Sequence, residues 1–284
     1  MIELDEVLDD ARSLEPLPAS ASRLASLLAG DSWDMQEVCG AVRLDEALTG
    51  RLLGVANSAR SGAREQVGTV ELAVMRLGTG AVLGVALGNA VRKNYQTALP
   101  AYGLDEGGLW RHSVATALAV EEMRNFGVRS VPPEAFSTAL LHDVGKLVLA
   151  RHLTPEVLEY LRNYEGADGY GFGPDVERAV LSTDHAALGA VVARAWGLQK
   201  AIADGIEHHE RPLGARPDAG RYLALLVSCA DAAAVQAGAM CGSLAASPTF
   251  THMHAEGLGI GRKAFDELSL TVMKRLQQVL QAYE

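Results

Sequence analysis

Three cysteines in 284 residues, Cys39, Cys229 and Cys241, share no CxxC spacing and are too few for a disulfide framework. They read as reduced core or helix thiols, which favours a cytoplasmic location. Positive charge is scarce as well: 25 Lys and Arg against 35 Asp and Glu leave a net charge of -10. That balance disfavours binding to nucleic acid or to an anionic membrane, where clustered cations must replace counterions. Long apolar runs are missing. The longest uncharged stretch, between Arg76 and Arg92, falls short of the ~20 residues of a spanning helix and is broken by Gly78, Gly80, Gly84 and Gly88. The chain opens Met1-Ile2-Glu3-Leu4-Asp5-Glu6, acidic where a signal peptide carries positive charge, so no membrane association is expected. Period-two alternation, hairpin turns between β-rich segments, internal repeats and low-complexity tracts are absent too.

What the sequence does have is apolar residues, 49% of the chain, recurring at helical spacing. Leu24, Leu27 and Leu28 share a face that Gly30 ends. Asp34 and Glu37 form a capping box for the next helix. Leu48, Leu52, Val55 and Ala56 make a stripe ending near Asn57-Ser58, and Val70, Val74 and Leu77 make another. Pro132-Pro133 open a helix with Phe136, Leu140 and Leu141, and Pro155 opens one with Val157, Leu158 and Leu161. Asp184 caps a segment that runs to Trp196 and stops at Gly197. Leu223 to Ala239 is a long helix with a single acid, Asp231. From about Lys263, the residues Phe265, Leu268, Val272, Leu276 and Val279 share one face. The expected fold is all-α.

Soft stretches divide the chain. Asn94 to Gly108 separates a histidine-free part from one that holds all 8 histidines. Arg211 to Gly220 reads as an exposed loop. The expected organisation is an N-terminal helical lobe over 1–103, a metal-site lobe over 104–241 and a helical extension over 242–284.

Histidines and acids fall on separate helices: His112 in mid-helix, His142-Asp143 and His208-His209 at helix ends, His185 at a helix start, Asp231 within the apolar helix. Imidazole with carboxylate suits Mn, Fe, Ni, Zn or Mg. Each piece also has a plain reading, as a half-buried polar residue or as a helix end favoured by His and Lys. Asp231 resists it, because a carboxylate among Leu226, Val227, Ala230 and Ala232 is costly to bury unpaired.

The order His112, His142-Asp143, Lys146, His185, His208-His209, Asp231 resembles the HD-domain superfamily of metal-dependent phosphohydrolases. The resemblance implies His112, His142, Asp143 and Asp231 as ligands of one divalent ion. It implies His185, His208 and His209 as ligands of a second, with Asp143 as the bridge and Lys146 as the lysine approaching a substrate phosphate. Asp143 and Lys146 are the implied catalytic residues. Leu17-Pro18-Ala19, the Arg51 to Ala59 segment, Ala73 to Gly78 and Trp196-Gly197-Leu198 narrow the likeness to the HDOD family, over roughly Leu14 to Asp231. That implies an N-terminal lobe packed on an HD-like bundle.

HDOD domains are regarded as bacterial signalling or output modules. Glu210-Arg211-Pro212-Leu213-Gly214 stands where HD-type cyclic di-GMP phosphodiesterases carry Gly-Tyr-Pro. Gly108 stands where a glutamate is expected, one turn before the first histidine. Both departures argue against cyclic di-GMP hydrolysis. Glu46 replaces a proline that often follows the aspartate at 45. The expectation is a signal-transduction module that keeps one or two divalent metal ions and binds a protein partner or a nucleotide. The alternative is a metal-dependent phosphohydrolase acting on a nucleotide or other phosphoester. A third reading, Glu37 to Ala59 as a DNA-binding helix-turn-helix, suffers from an acidic Leu44-Asp45 turn and only two arginines, Arg43 and Arg51. His208 and His209 point ~100° apart on an ideal helix, so one of them faces away from a shared site unless the helix frays.

Overall fold

The computed structural model describes residues 4–28, 33–57, 66–163, 173–215, 218–239 and 254–281. The expected helix stop at Gly30, the Ser58-Ala59 end of the signature, Cys241 and residues 242–253 of the extension lie outside that set, as does the side chain of Leu161. The described residues contain no β-strand, as the periodicity predicts.

In chain order the first helices are α1 (Leu4–Ser13), α2 (Ala19–Leu27), α3 (Met35–Arg43), α4 (Glu46–Ala56) and α5 (Val70–Tyr95). Then come α6 (Gly108–Glu122), α7 (Glu134–Leu141), α8 (Gly145–His152), α9 (Pro155–Asn163) and α10 (Pro174–Leu181). The last are α11 (His185–Ala195), α12 (Lys200–Glu207), α13 (Ala219–Gln236) and α14 (Arg262–Gln281).

Helices α2, α3 and α4 pack on α5. Asp34 caps α3, accepting from the Gln36 and Glu37 amides at 2.7 and 3.1 Å. Asp45 caps α4 through the Leu48 amide at 2.9 Å and takes a 2.7 Å hydrogen bond from Ser20 on α2. Asn57 ties the end of α4 to the approach to α5: its amide donates to Leu53 O and Val67 O, and its oxygen accepts from the Val67 amide. That part of the signature holds helix ends together. Helix α1 packs instead on α8 and α11, where His152 Nε2 lies 2.9 Å from Asp10.

Helix α5 changes neighbours along its length. Gly78 breaks it with φ 78° and ψ 163°, a conformation that favours glycine. Beyond the kink, α5 presses on α7: a Cβ at Gly84 would stand 2.3 Å from the Phe136 ring, so only glycine admits this approach. Among the described residues α5, over Val70–Arg92, is the one helix long and apolar enough to cross a membrane. Its kink and its buried Val82, Leu83, Leu87 and Val91 are those of a core helix.

The second bundle is built around α6, which packs on α7, α13 and α14, while α12 packs on α7, α11 and α13. Arg275 fastens α14 to α6 through Glu121, Glu122 and the Leu118 carbonyl. Cys39 and Cys229 are free, buried thiols, as expected of core positions.

Candidate metal centre

Four features bring the chemistry-bearing residues together. His112 is buried in mid-α6. Helix α7 ends at Leu141, so His142 caps it and Asp143 enters the turn to α8. That turn lies directly on α11, because a Cβ at Gly145 would stand 1.9 Å from the His185 carbonyl oxygen. His185 opens α11 behind Asp184, which caps it through the Ala187 amide at 2.7 Å.

Each of the four central imidazoles turns Nδ1 outward and Nε2 inward. His112 Nδ1 meets Ala239 O at 2.8 Å, His142 Nδ1 meets Ala139 O at 2.7 Å and His209 Nδ1 meets Ile206 O at 2.7 Å. His185 Nδ1 meets the Glu177 carboxylate at 2.7 Å. An Nδ1–H engaged in this way leaves Nε2 with its lone pair.

The Nε2 atoms converge on two oxygens of one carboxylate. Asp143 Oδ2 lies 3.5 Å from His112 Nε2 and 3.4 Å from His142 Nε2, with Asp231 Oδ1 3.1 Å from His112 Nε2. Asp143 Oδ1 lies 3.4 Å from His185 Nε2 and 3.9 Å from His209 Nε2, and Glu210 Oε1 is 3.3 and 3.6 Å from the same two nitrogens. Among the described residues, donor atoms within 4.8 Å of one another form three overlapping groups: His112, His142, Asp231; His142, Asp143, His209; His185, His209, Glu210.

The residues fit a divalent cation on physical grounds. His112 Nε2 and His142 Nε2 stand 3.1 Å apart, a separation two lone pairs tolerate only with a proton or a cation between them. Asp143 Oδ1, His185 Nε2 and His209 Nε2 are buried without a hydrogen-bond partner. Orphaned buried acceptors are costly, and a cation satisfies all three. The protonation preferences agree. Burial would raise the Asp143 carboxyl, yet His142 and Lys146 hold it well below the usual range. Burial likewise opposes the ionised Asp231, but His112 brings it down to about 2. Burial pushes His209 down to about 4, leaving a neutral ring. His185 would also be lowered by burial, but the Glu177 carboxylate raises it to about 10, which makes this ring the most basic of the four.

The structure thus gathers His112, His142, Asp143, His185, His209 and Asp231. It leaves His208 half-buried and outside the donor groups, because the backbone turn after α12 directs only His209 inward. Glu210 stands in that place, unforeseen in the sequence, although an acid directly after a His-His pair at a helix end was a usable signal. Glu177 was also missed, since it reads as an ordinary acid in the first turn of α10. Lys146 Nζ donates to Asp143 Oδ2 at 2.8 Å, so its charge is engaged within the centre.

The HDOD domain family model matches residues 14–212, so Asp231 lies beyond the matched region although the fold returns it to the centre. A signal-transduction protein from Marinobacter aquaeolei VT8, provisionally so named, is 22% identical with TM-score 0.71, covering 99% of this chain and 61% of that one. An HDOD domain protein of unknown function from Geobacter sulfurreducens is 21% identical with TM-score 0.70, covering 99% and 98%. A provisionally named phosphohydrolase from Shewanella amazonensis SB2B is 23% identical with TM-score 0.67, covering 94% and 93%. These likenesses concern the fold. An uncharacterized protein of Treponema pallidum (strain Nichols) is 22% identical over 209 residues, 72% of this chain, which spans 39% of that protein's length. On the match over residues 14–212, this chain belongs to the HDOD family.

Proposed function

We propose that this chain is a bacterial signalling module whose surface binds a protein partner, while divalent cations at two positions hold the centre of the bundle. His112, His142, Asp143 and Asp231 would hold one cation, and Asp143, His185, His209 and Glu210 the other, with Asp143 bridging. The observation that carries the reading is burial. His112, His142, Asp143, His185 and His209 are each no more than 2% exposed, and Lys146 is drawn onto Asp143. Donors enclosed in this way suit cations that stabilise a scaffold better than cations that receive a substrate. The surface offers apolar contact: Leu44 is 84% exposed beside Arg43, whose ion pair with Glu71 joins α3 to α5, and Leu72 and Met75 are exposed near that pair. Arg43 is engaged with Glu71, which supports a protein partner over nucleic acid.

A second reading, a metal-dependent phosphohydrolase for a nucleotide or other phosphoester, is favoured by one observation. Asp231 and Glu210 side chains are 24% and 30% exposed, so the centre has an edge open to solvent. Two cations there would supply a Lewis-acid clamp for phosphoryl oxygens. The deciding experiment measures metal content of the full chain purified without chelators and, on the same sample, hydrolysis of bis(p-nitrophenyl) phosphate and a nucleotide panel. Bound metal without turnover supports the signalling reading. Turnover that scales with metal content and disappears in Asp143→Asn overturns it in favour of the hydrolase.

A further inference from the structure

Glu177 is fully buried yet belongs to none of the donor groups. A carboxylate so placed is costly unless hydrogen-bond donors surround it. Three donors do. Oε2 accepts from the His185 backbone N–H at 2.8 Å and lies 2.7 Å from Nδ1, and Oε1 accepts from the Tyr102 hydroxyl at 3.0 Å. The other three central imidazoles lean on backbone carbonyls, two of them on the carbonyl three residues back in their own helix. Those two contacts follow from local geometry alone. The His185 contact does not. It needs α10 to deliver an acid, and it needs Tyr102 to hold that acid in place. Tyr102 is itself buried and ends the short 3-10 turn Pro100–Tyr102, which lies between α5 and α6, and its ring is 5.6 Å from Lys146 Nζ.

We propose that Glu177 and Tyr102 are positioning residues that set cation affinity at the His185 position. Glu177 fixes the ring by its Nδ1–H, aims Nε2 at Asp143 and Glu210, and raises the basicity of the ligand. Tyr102 fixes the rotamer of Glu177 and so makes that affinity depend on where the turn between α5 and α6 sits. A partner that shifts this turn would be felt most directly at the second cation, because neither His112 nor His142 rests on Glu177 or Tyr102. The proposal rests on the two-position reading above.

The test titrates the chelator-stripped full chain with zinc by calorimetry, in wild type, Glu177→Gln and Tyr102→Phe. Glutamine keeps the shape and can still accept from His185 while its amide meets Tyr102, so the variant retains a satisfied buried group. Glu177→Gln is expected to weaken the second equivalent about 10- to 100-fold and leave the first unchanged. Tyr102→Phe should weaken the same equivalent by a smaller factor. In the zinc-loaded protein, the far-downfield Nδ1–H proton resonance of His185 should move upfield in Glu177→Gln, which a role confined to stability would not produce. A wild type that takes two equivalents while both variants bind the second equally well overturns the positioning role alone. A wild type saturating at one equivalent overturns the two-position reading and the proposal with it.

Discussion

The His208-His209 pair decides its own question at the level of single atoms. Only His209 turns its Nε2 toward Asp143, and its Nδ1 is held by the Ile206 carbonyl. His209→Ala should therefore reduce bound metal about 10-fold or more at limiting concentration, whereas His208→Ala should leave it unchanged, as read by elemental analysis. Asp231→Ala should lower affinity sharply and, because the contact with His112 goes with it, also cost the cation-free chain some stability at neutral pH. If Asp231 served only as the hydrogen-bond partner of His112, metal content would not change. Most of the donor set was legible in the sequence, because residue types and their order along the chain survive folding. Which member of the pair points inward was not, because that depends on the dihedral angles of a helix end. Glu177 was illegible for another reason: its partner His185 is eight positions away, across a turn that periodicity does not describe.

Caps and close approaches are the features that work at the level of helices. Asp45 joins α2 to α4 and caps the latter, and Asp45→Ala should cost about 1–2 kcal/mol in denaturant unfolding at neutral pH. The Leu48 amide and Ser20 lower the carboxyl from its ordinary 3.8. A depressed folded-state value means that the contribution is complete above the ordinary carboxylate range and is lost as pH falls through the lower folded one. The wild-type and variant midpoints should accordingly converge in acid. Gly145 lets α8 begin against α11, and Gly145→Ala would thrust a methyl group onto the His185 backbone. A loss of about 3 kcal/mol together with weakened metal binding is expected. Unaltered stability in that variant would mean that the two helices can separate freely. Helix existence and part of the capping were readable because Asp34 and Asp184 precede apolar periodic runs, whereas the Asp45 cap emerged only with the fold. The contacts of α1 with α8 and α11 were not, since an amphipathic helix specifies a buried face but not its partner.

For the molecule as a whole, the centre ties α6, α7, α11, α13 and the turns after α7 and α12 to one point. Any cation bound there would favour the folded state by mass action, by about 2.7 kcal/mol per site at a free concentration of 100 Kd. Chelation should lower the thermal midpoint, and zinc or manganese should restore it in proportion to the logarithm of concentration. A midpoint indifferent to chelator would show that the centre holds no cation in the purified protein. Helical class, family and the order of the donors were legible before folding, because hydrophobic periodicity, caps and motif spacing are local properties of the chain. Only the tertiary structure chose His209 over His208, enlisted Glu210, and set Glu177 and Tyr102 behind His185. Those choices depend on how helices distant in sequence pack, and on which buried polar atoms that packing leaves facing one another.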